Sequence, residues 1–242
     1  MAFPIVEAQA TSATTTAGTN HVVVLPSGIA AGDLILILMS IGSTAATLNV
    51  HADYTELLDE NVAIGLNILY RWAAGGEANP TLVSSANTRD ATVTYRISGA
   101  ENPATQAPQI GTTATGSSVN PNPPTCTPTG GAKDYLWVTF CGSAGEQADD
   151  GTYCTAFPAN FTDAQAQKTC GVAGTNLGGM IAAASFQQNA ASQDPGTFTV
   201  SENNTWRTQT VAVHPAAAPA EDPRPTRLVV VPSLAAVQAS RW

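Results

Sequence analysis

The sequence predicts an all-β protein: a jelly-roll-like antiparallel β-sandwich built from two pseudo-repeated halves, with a C-terminal extended arm. Three observations lead there. Two runs, "DLILILMS" from Asp33 and "DYLWVTFC" from Asp134, are almost continuously apolar and bounded by turn residues, the pattern of central strands covered on both faces. Two later runs, "ATVTYRIS" and "RTQTVAVH", alternate apolar with polar residues as half-exposed strands do. No segment sustains a period of 3.6 residues, and the chain is rich in Thr, Ala, Gly, Val, Asn and Pro but poor in Lys and Glu.

The elements follow one another in a repeated order. The chain enters through "FPIVEAQA" and "HVVVLPS" (His21 to Ser27), two short apolar stretches of strand character. The first half then runs "AAGDLILILMSIGS", "ADYTELLDE", "IGLNILYRWA", "PTLVSS" and "RDATVTYRISGAENP". The second runs "GAKDYLWVTFCGS", "ANFTDAQAQ", "LGGMIAAASFQ", "GTFTVS" and "TWRTQTVAVHPAAAP". Asp33 corresponds to Asp134, Tyr54-Thr55 to Phe161-Thr162, Val83-Ser84 to Val200-Ser201, and Val93 to Val211. Such internal similarity is the mark of a duplicated structural unit. The second copy is longer, with most of its extra residues between Gly142 and Pro195. With "TCTPT" added, about twelve to fourteen short strands are expected at sandwich spacing. The sandwich is expected over residues 1–214, with halves at about 20–114 and 121–214 joined through "TGSSVNPNPPTCTPTGG". Residues 215–225 read as a Pro/Ala linker and residues 226–242 as a docking arm.

Composition excludes several classes of partner. Eighteen acidic residues stand against nine basic ones, a net charge of −9, and no basic patch is visible. Nucleic acid and anionic membrane are therefore unexpected partners, because both are bound through clustered Lys and Arg. The longest strongly apolar run, Leu34 to Met39, is too short to span a bilayer, and "MAFPIVEAQA" has no basic or apolar leader character.

Residues with chemical potential are few. The four cysteines lack any CxxC spacing. Cys126 and Cys141 read as small buried residues, while Cys154 and Cys170 flank a Gly/Ala/Thr-rich stretch that a disulfide would staple as a surface insertion. His21, His51 and His214 have no second ligand at i+2 or i+4 and read as surface or edge-strand imidazoles. "CGSAG" around Ser143 departs from a nucleophile elbow at its first position. Asp53, Glu56, Asp59 and Glu60 read as a solvated acidic face. "EQADDG" (Glu146 to Gly151) lacks the full ligand alternation of a calcium loop. No catalytic residue, cofactor or metal is expected. Trp137 falls in a central strand and Trp206 at the opening of the last strand of the second half, positions of core and sandwich end. Trp242, with Leu228, Val229, Val230, Val231 and Leu234, gives the arm an apolar character suited to an interface on a neighbour.

The phrases "VVVLPSGIAAGDLILILMSIGS", "YTELL", "ILYRWAAGGE" and "RISGAENP" resemble the β-sandwich accessory proteins of tailed-phage virions, over roughly residues 20–215. The resemblance implies a non-enzymatic structural protein that decorates and stabilises a capsid on the particle surface after assembly in the host cytoplasm. Its implied partners are the major capsid protein and further copies of itself. The alternative it leaves open is a tail-associated adhesin, with a receptor or host surface glycan as partner. The similarity marks strands and turns, so it carries no functional residues over, and the Cys154 to Cys170 stretch departs from it.

Overall fold

The protein is described by a computed structural model covering residues 2–218, apart from 43–45, 50, 63, 146–152 and 173–174. The arm with Leu228, Val229, Val230, Val231, Leu234 and Trp242, most of the linker before it, and all of "EQADDG" lie outside the described residues. Strands β1 (Ile5–Val22), β2 (Leu34–Ile41), β3 (Thr55–Glu60), β4 (Gly65–Trp72) and β5 (Thr81–Ser98) form one sheet in the order β1-β5-β2-β4-β3. The second sheet uses β6 (Gln109–Ile110), β7 (Ala114–Ser118), β8 (Lys133–Gly145), β10 (Asp163–Val172), β11 (Thr175–Ala190) and β13 (Asn204–Val213). Its order is β10-β11-β8-β13, with β6 and β7 both pairing along the far side of β13. A ribbon of β9 (Cys154–Ala156) and β12 (Thr199–Val200) accompanies it. Every pairing is antiparallel, and the two sheets stay open rather than closing into a barrel.

The repeat read from the sequence is present in the strand order. Strands β5, β2, β4 and β3 of the first sheet take the places that β13, β8, β11 and β10 take in the second. Each sheet is drawn from one half of the chain, so the halves meet face to face where a jelly roll would interleave them. The equivalence of Asp33 with Asp134 is out of step by one residue in the pleat. Leu34 points into the space between the sheets, whereas Tyr135 points away from it, and a one-residue shift reverses every side chain of a strand.

Between the sheets, Leu36, Leu38 and Val93 meet Val138, Phe140 and Val211 in a shared core. The backbones come closest at Gly179, where a Cβ would sit on the Ser40 carbonyl oxygen and 2.8 Å from the Ala91 amide nitrogen. Both outer faces are covered as well, which is why the central strands carry no polar alternation. Ile35, Ile37 and Met39 pack beneath Leu25, Leu48 and Tyr54 on the first sheet. Tyr135 and Trp137 pack with Cys126 and Phe161 on the second. Tyr54 and Phe161, equivalent in the repeat, thus each cover the outer face of their own sheet.

The alternating strands differ from expectation. The middle of β5 and most of β13 are buried on both faces, not half exposed. Their threonines face outward under covering segments and hydrogen-bond to them: Thr94 Oγ1 donates to the Val24 carbonyl at 2.8 Å. Thr208 and Thr210 donate likewise to the carbonyls of Asn122 and Pro124, at 3.0 and 2.7 Å. A hydroxyl that finds a carbonyl can be buried at small net cost, so a Thr stripe here marks a second buried face.

The stretch from Cys154 to Cys170 is also corrected. It is not a stapled surface loop but β9 followed by the edge strand β10, whose Ala166 and Cys170 face the intersheet core. Cys154 packs elsewhere, with Tyr153, Met180 and Phe198 on the outer face, and its thiol lies 3.2 Å from the Ala156 carbonyl. The Cys170 thiol lies 2.8 Å from the Thr14 carbonyl. The two sulfurs occupy different hydrophobic clusters and form no disulfide.

Candidate functional site

Two polar constellations arise from the pairing of elements distant in sequence. The first lies on the outer side of the first sheet, where β1 runs antiparallel to β5 and brings His21 opposite Leu82. His21 Nδ1 is 2.7 Å from Asp90 Oδ1, and its Nε2 is 2.8 Å from Ser84 Oγ. Thr92 Oγ1 donates to the other Asp90 oxygen at 2.9 Å. This is the connectivity of a serine–histidine–aspartate relay. Its surroundings are those of a structural network: His21 and Asp90 are 0% exposed and Ser84 2%, and Ser84 Oγ also lies 2.8 Å from the Ala86 carbonyl. A nucleophile must meet its substrate, and this hydroxyl opens onto no described cavity.

The second is open. The loop from Ala73 to Pro80, between β4 and β5, and the turn from His51 to Tyr54, before β3, enclose a cavity of about 480 Å³. The loop folds tightly because Gly75 and Gly76 take φ of 95° and 76°, which side-chain-bearing residues rarely adopt. Glu77 closes it, its Oε1 accepting from the amides of Ala74 at 2.5 Å and Gly75 at 3.2 Å. Arg71, on β4, lies between two carboxylates: Nη1 is 3.5 Å from Asp53 Oδ2, and Nε is 3.8 Å from Glu77 Oε1. Its guanidinium also stands over the Tyr54 ring, 5.7 Å from the centroid. His51 meets the same ring edge-on at 5.3 Å and accepts the Asp53 amide at Nδ1, which leaves Nε2 as the donor. Burial pushes the Tyr54 phenol up to about 12, with the nearby Arg71 charge opposing, so the hydroxyl keeps its proton.

Two groups lining this cavity are buried without hydrogen-bond partners, Tyr54 Oη and Glu77 Oε2. The Glu77 side chain is only 2% exposed. Most buried polar atoms are paired, so two such groups in one cleft are a feature that asks for a ligand.

The residues singled out by sequence are dispersed. The acidic face divides along β3: Asp53 lines the cleft, Asp59 Oδ1 is buried, and Glu60 pairs with Arg207 of the opposite sheet. Burial is the first cause raising the carboxyls of Glu56 and Asp59 above their usual range. Ser143 lies within β8, its hydroxyl donating to Tyr153 Oη at 3.0 Å. Of the histidines, His21 and His214 are buried rather than at the surface. Burial raises the thiols of Cys126, Cys141 and Cys154, the first to about 11, which keeps them protonated and unreactive. Trp137 is fully buried, and Trp206 is nearly so, with Nε1 donating to Ser118 Oγ at 3.1 Å. Among the described residues no group of three or more His, Cys, Asp or Glu is placed to hold a metal ion. Among the described residues no helix is long and apolar enough to cross a membrane. Comparison with known protein families, characterised proteins and solved structures finds no match.

Proposed function

We propose that the protein is a non-enzymatic structural component of a tailed-phage virion, which decorates and stabilises the capsid through contacts with the shell and with copies of itself. One observation carries this reading: the place where the chain leaves the sandwich. After Val213, Pro215 bridges to Ala100, and the Ala216 amide donates to the Gly99 carbonyl at 2.9 Å. That exit lies beside the first residues of β1, where Ile5 pairs with Ser98. β1 is an edge strand of eighteen residues, and one side of it carries no partner strand among those described. Exposed apolar residues stand near its two ends, Ile5 at one and Val22, Val24 and Val83 at the other.

The proposed contact is therefore edge addition, in which the arm of one copy extends the sheet of the next or docks on the shell. Leu228, Val229, Val230, Val231, Leu234 and Trp242 supply the apolar side chains for it. Covering each is worth ~1.5–3 kcal/mol, against ~1–2 kcal/mol per residue to order the backbone. Single contacts of this kind are weak, and a lattice of them holds by multivalency. Two further observations support a structural role. The serine–histidine–aspartate network is sealed from solvent, and both outer sheet faces are already covered, which leaves edges and loops for partners.

Removing residues 226–242 tests the reading. The truncated protein is expected to keep its β circular dichroism spectrum while its occupancy on purified particles falls sharply. Full occupancy without the arm would overturn the docking role, and absence of the full-length protein from particles would overturn the virion role itself.

A further inference from the structure

We propose that the cleft formed by Tyr54, Arg71 and Glu77 is a binding site for a neutral sugar unit of a glycan. Two buried polar atoms in it lack partners. Tyr54 Oη is a donor without an acceptor and Glu77 Oε2 an acceptor without a donor, and both line one cavity. Around them stand further groups with bonding capacity to spare. Arg71 holds Asp53 and Glu77 only at 3.5 and 3.8 Å, so its guanidinium has donors left over, and His51 offers Nε2. Asp53, 61% exposed at its side chain, presents an acceptor at the mouth.

The mixture of charges selects the ligand class. Asp53 and Glu77 together disfavour an anion, and the chain's net charge of −9 acts in the same direction. Arg71 between them disfavours a cation. A neutral polyol satisfies both halves of the site, because each hydroxyl both donates and accepts: it donates to Glu77 Oε2 and Asp53 and accepts from Tyr54, Arg71 and His51. At about 480 Å³ the cavity falls within the ~300–1,000 Å³ range of small-molecule clefts. Ala74, Gly75 and Gly76 on its rim are exposed and bear little or no side chain, so a pyranose can enter while the rest of its chain stays in solvent. This assignment does not depend on the arm or on where the protein sits.

The site is tested on the full chain by NMR titration with glucose, galactose, mannose and N-acetylglucosamine at millimolar concentrations. N-acetylneuraminic acid and glucosamine serve as the anionic and cationic arms. At least one neutral sugar is expected to shift the resonances of the Ala73 to Pro80 loop. Tyr54→Phe and Glu77→Gln should each weaken that binding about tenfold or more, the size expected for losing one well-placed hydrogen bond to a buried or charged group. Glu77→Gln retains an oxygen to accept from the Ala74 and Gly75 amides. Tyr54→Phe removes a hydroxyl that makes no hydrogen bond of good geometry within the protein, so its melting temperature should change little while binding falls. No shift with any neutral sugar, binding unchanged in both variants, or preference for the charged sugars would each overturn the assignment.

Discussion

Truncating Asp90 to alanine takes away both of its bonds at once, the one from His21 at 2.7 Å and the one from Thr92 at 2.9 Å. All three partners are fully buried, so water does not replace what is lost. Leaving a buried polar group without its partner costs ~1–3 kcal/mol, and this change orphans both His21 Nδ1 and the Thr92 hydroxyl. The expected total is about 3 kcal/mol, because Ser84 still holds the other ring nitrogen of His21. For a chain of this size that corresponds to a melting temperature lower by roughly 6–12 °C. Asp90→Asn should cost only about 1 kcal/mol, because its carbonyl still accepts from His21 while its amide donates to Thr92. Urea unfolding followed by tryptophan fluorescence measures both, and the midpoint should move with the slope unchanged. Combining Asp90→Ala with His21→Ala should give a total about 1 kcal/mol or more below the sum of the single changes, since the pair is lost once. If Asp90→Ala unfolds within about 0.5 kcal/mol of the parent, the network is not a buried structural unit, and the relay-like geometry needs a different explanation.

Three other outcomes are expected. Gly179→Ala should destabilise by ~1–3 kcal/mol, because the added methyl meets backbone of Ser40 and Ala91 on the opposite sheet; an unchanged melting temperature would show that the sheets separate easily. Tyr153→Ala should cost ~3–5 kcal/mol, as for other large buried aromatics, whereas a disposable surface insertion would show almost no change on thermal scanning. His214, with both ring nitrogens unpartnered, has its pKa lowered to about 4, chiefly by burial, with Lys133 adding and Glu101 opposing. The unfolded state therefore takes up the proton first: stability from this residue is complete above about pH 6.5 and falls as pH drops towards 4. His214→Gln should flatten that part of a stability–pH curve, and an unchanged slope would count against the burial.

The repeated succession of elements along the chain was legible because two kinds of pattern recurred together, apolar runs and their spacing. The same patterns misled where side chains are small. In β10, "DAQAQKTCGV" buries Ala166 and Cys170, residues with too little apolar surface to register as a strand period, so the segment read as loop. Thr92, Thr94, Thr208 and Thr210 imitate solvent-facing positions, because burial by hydrogen bonding to a covering segment leaves no mark in a hydrophobic pattern. Neither constellation was visible. His21 lies 63 residues from Ser84 and 69 from Asp90 in the chain, and only the pairing of β1 with β5 joins them. The cleft depends on Glu77 turning its second oxygen inward. The motif "AAGGEANP" announces a tight glycine loop but not where the carboxylate points.

Drawing each sheet from one half of the chain also governs how the protein is made. The first sheet is complete once Ser98 has been synthesised, while the strands that cover its inner face end only at Val213. At ~5–20 residues per second, the nascent chain carries half a core open to water for on the order of ten seconds. During that interval Leu36, Leu38 and Val93 are open to the second half of a nearby copy. Fast expression thus favours exchange of halves between chains, and slower synthesis at lower temperature favours closure within one.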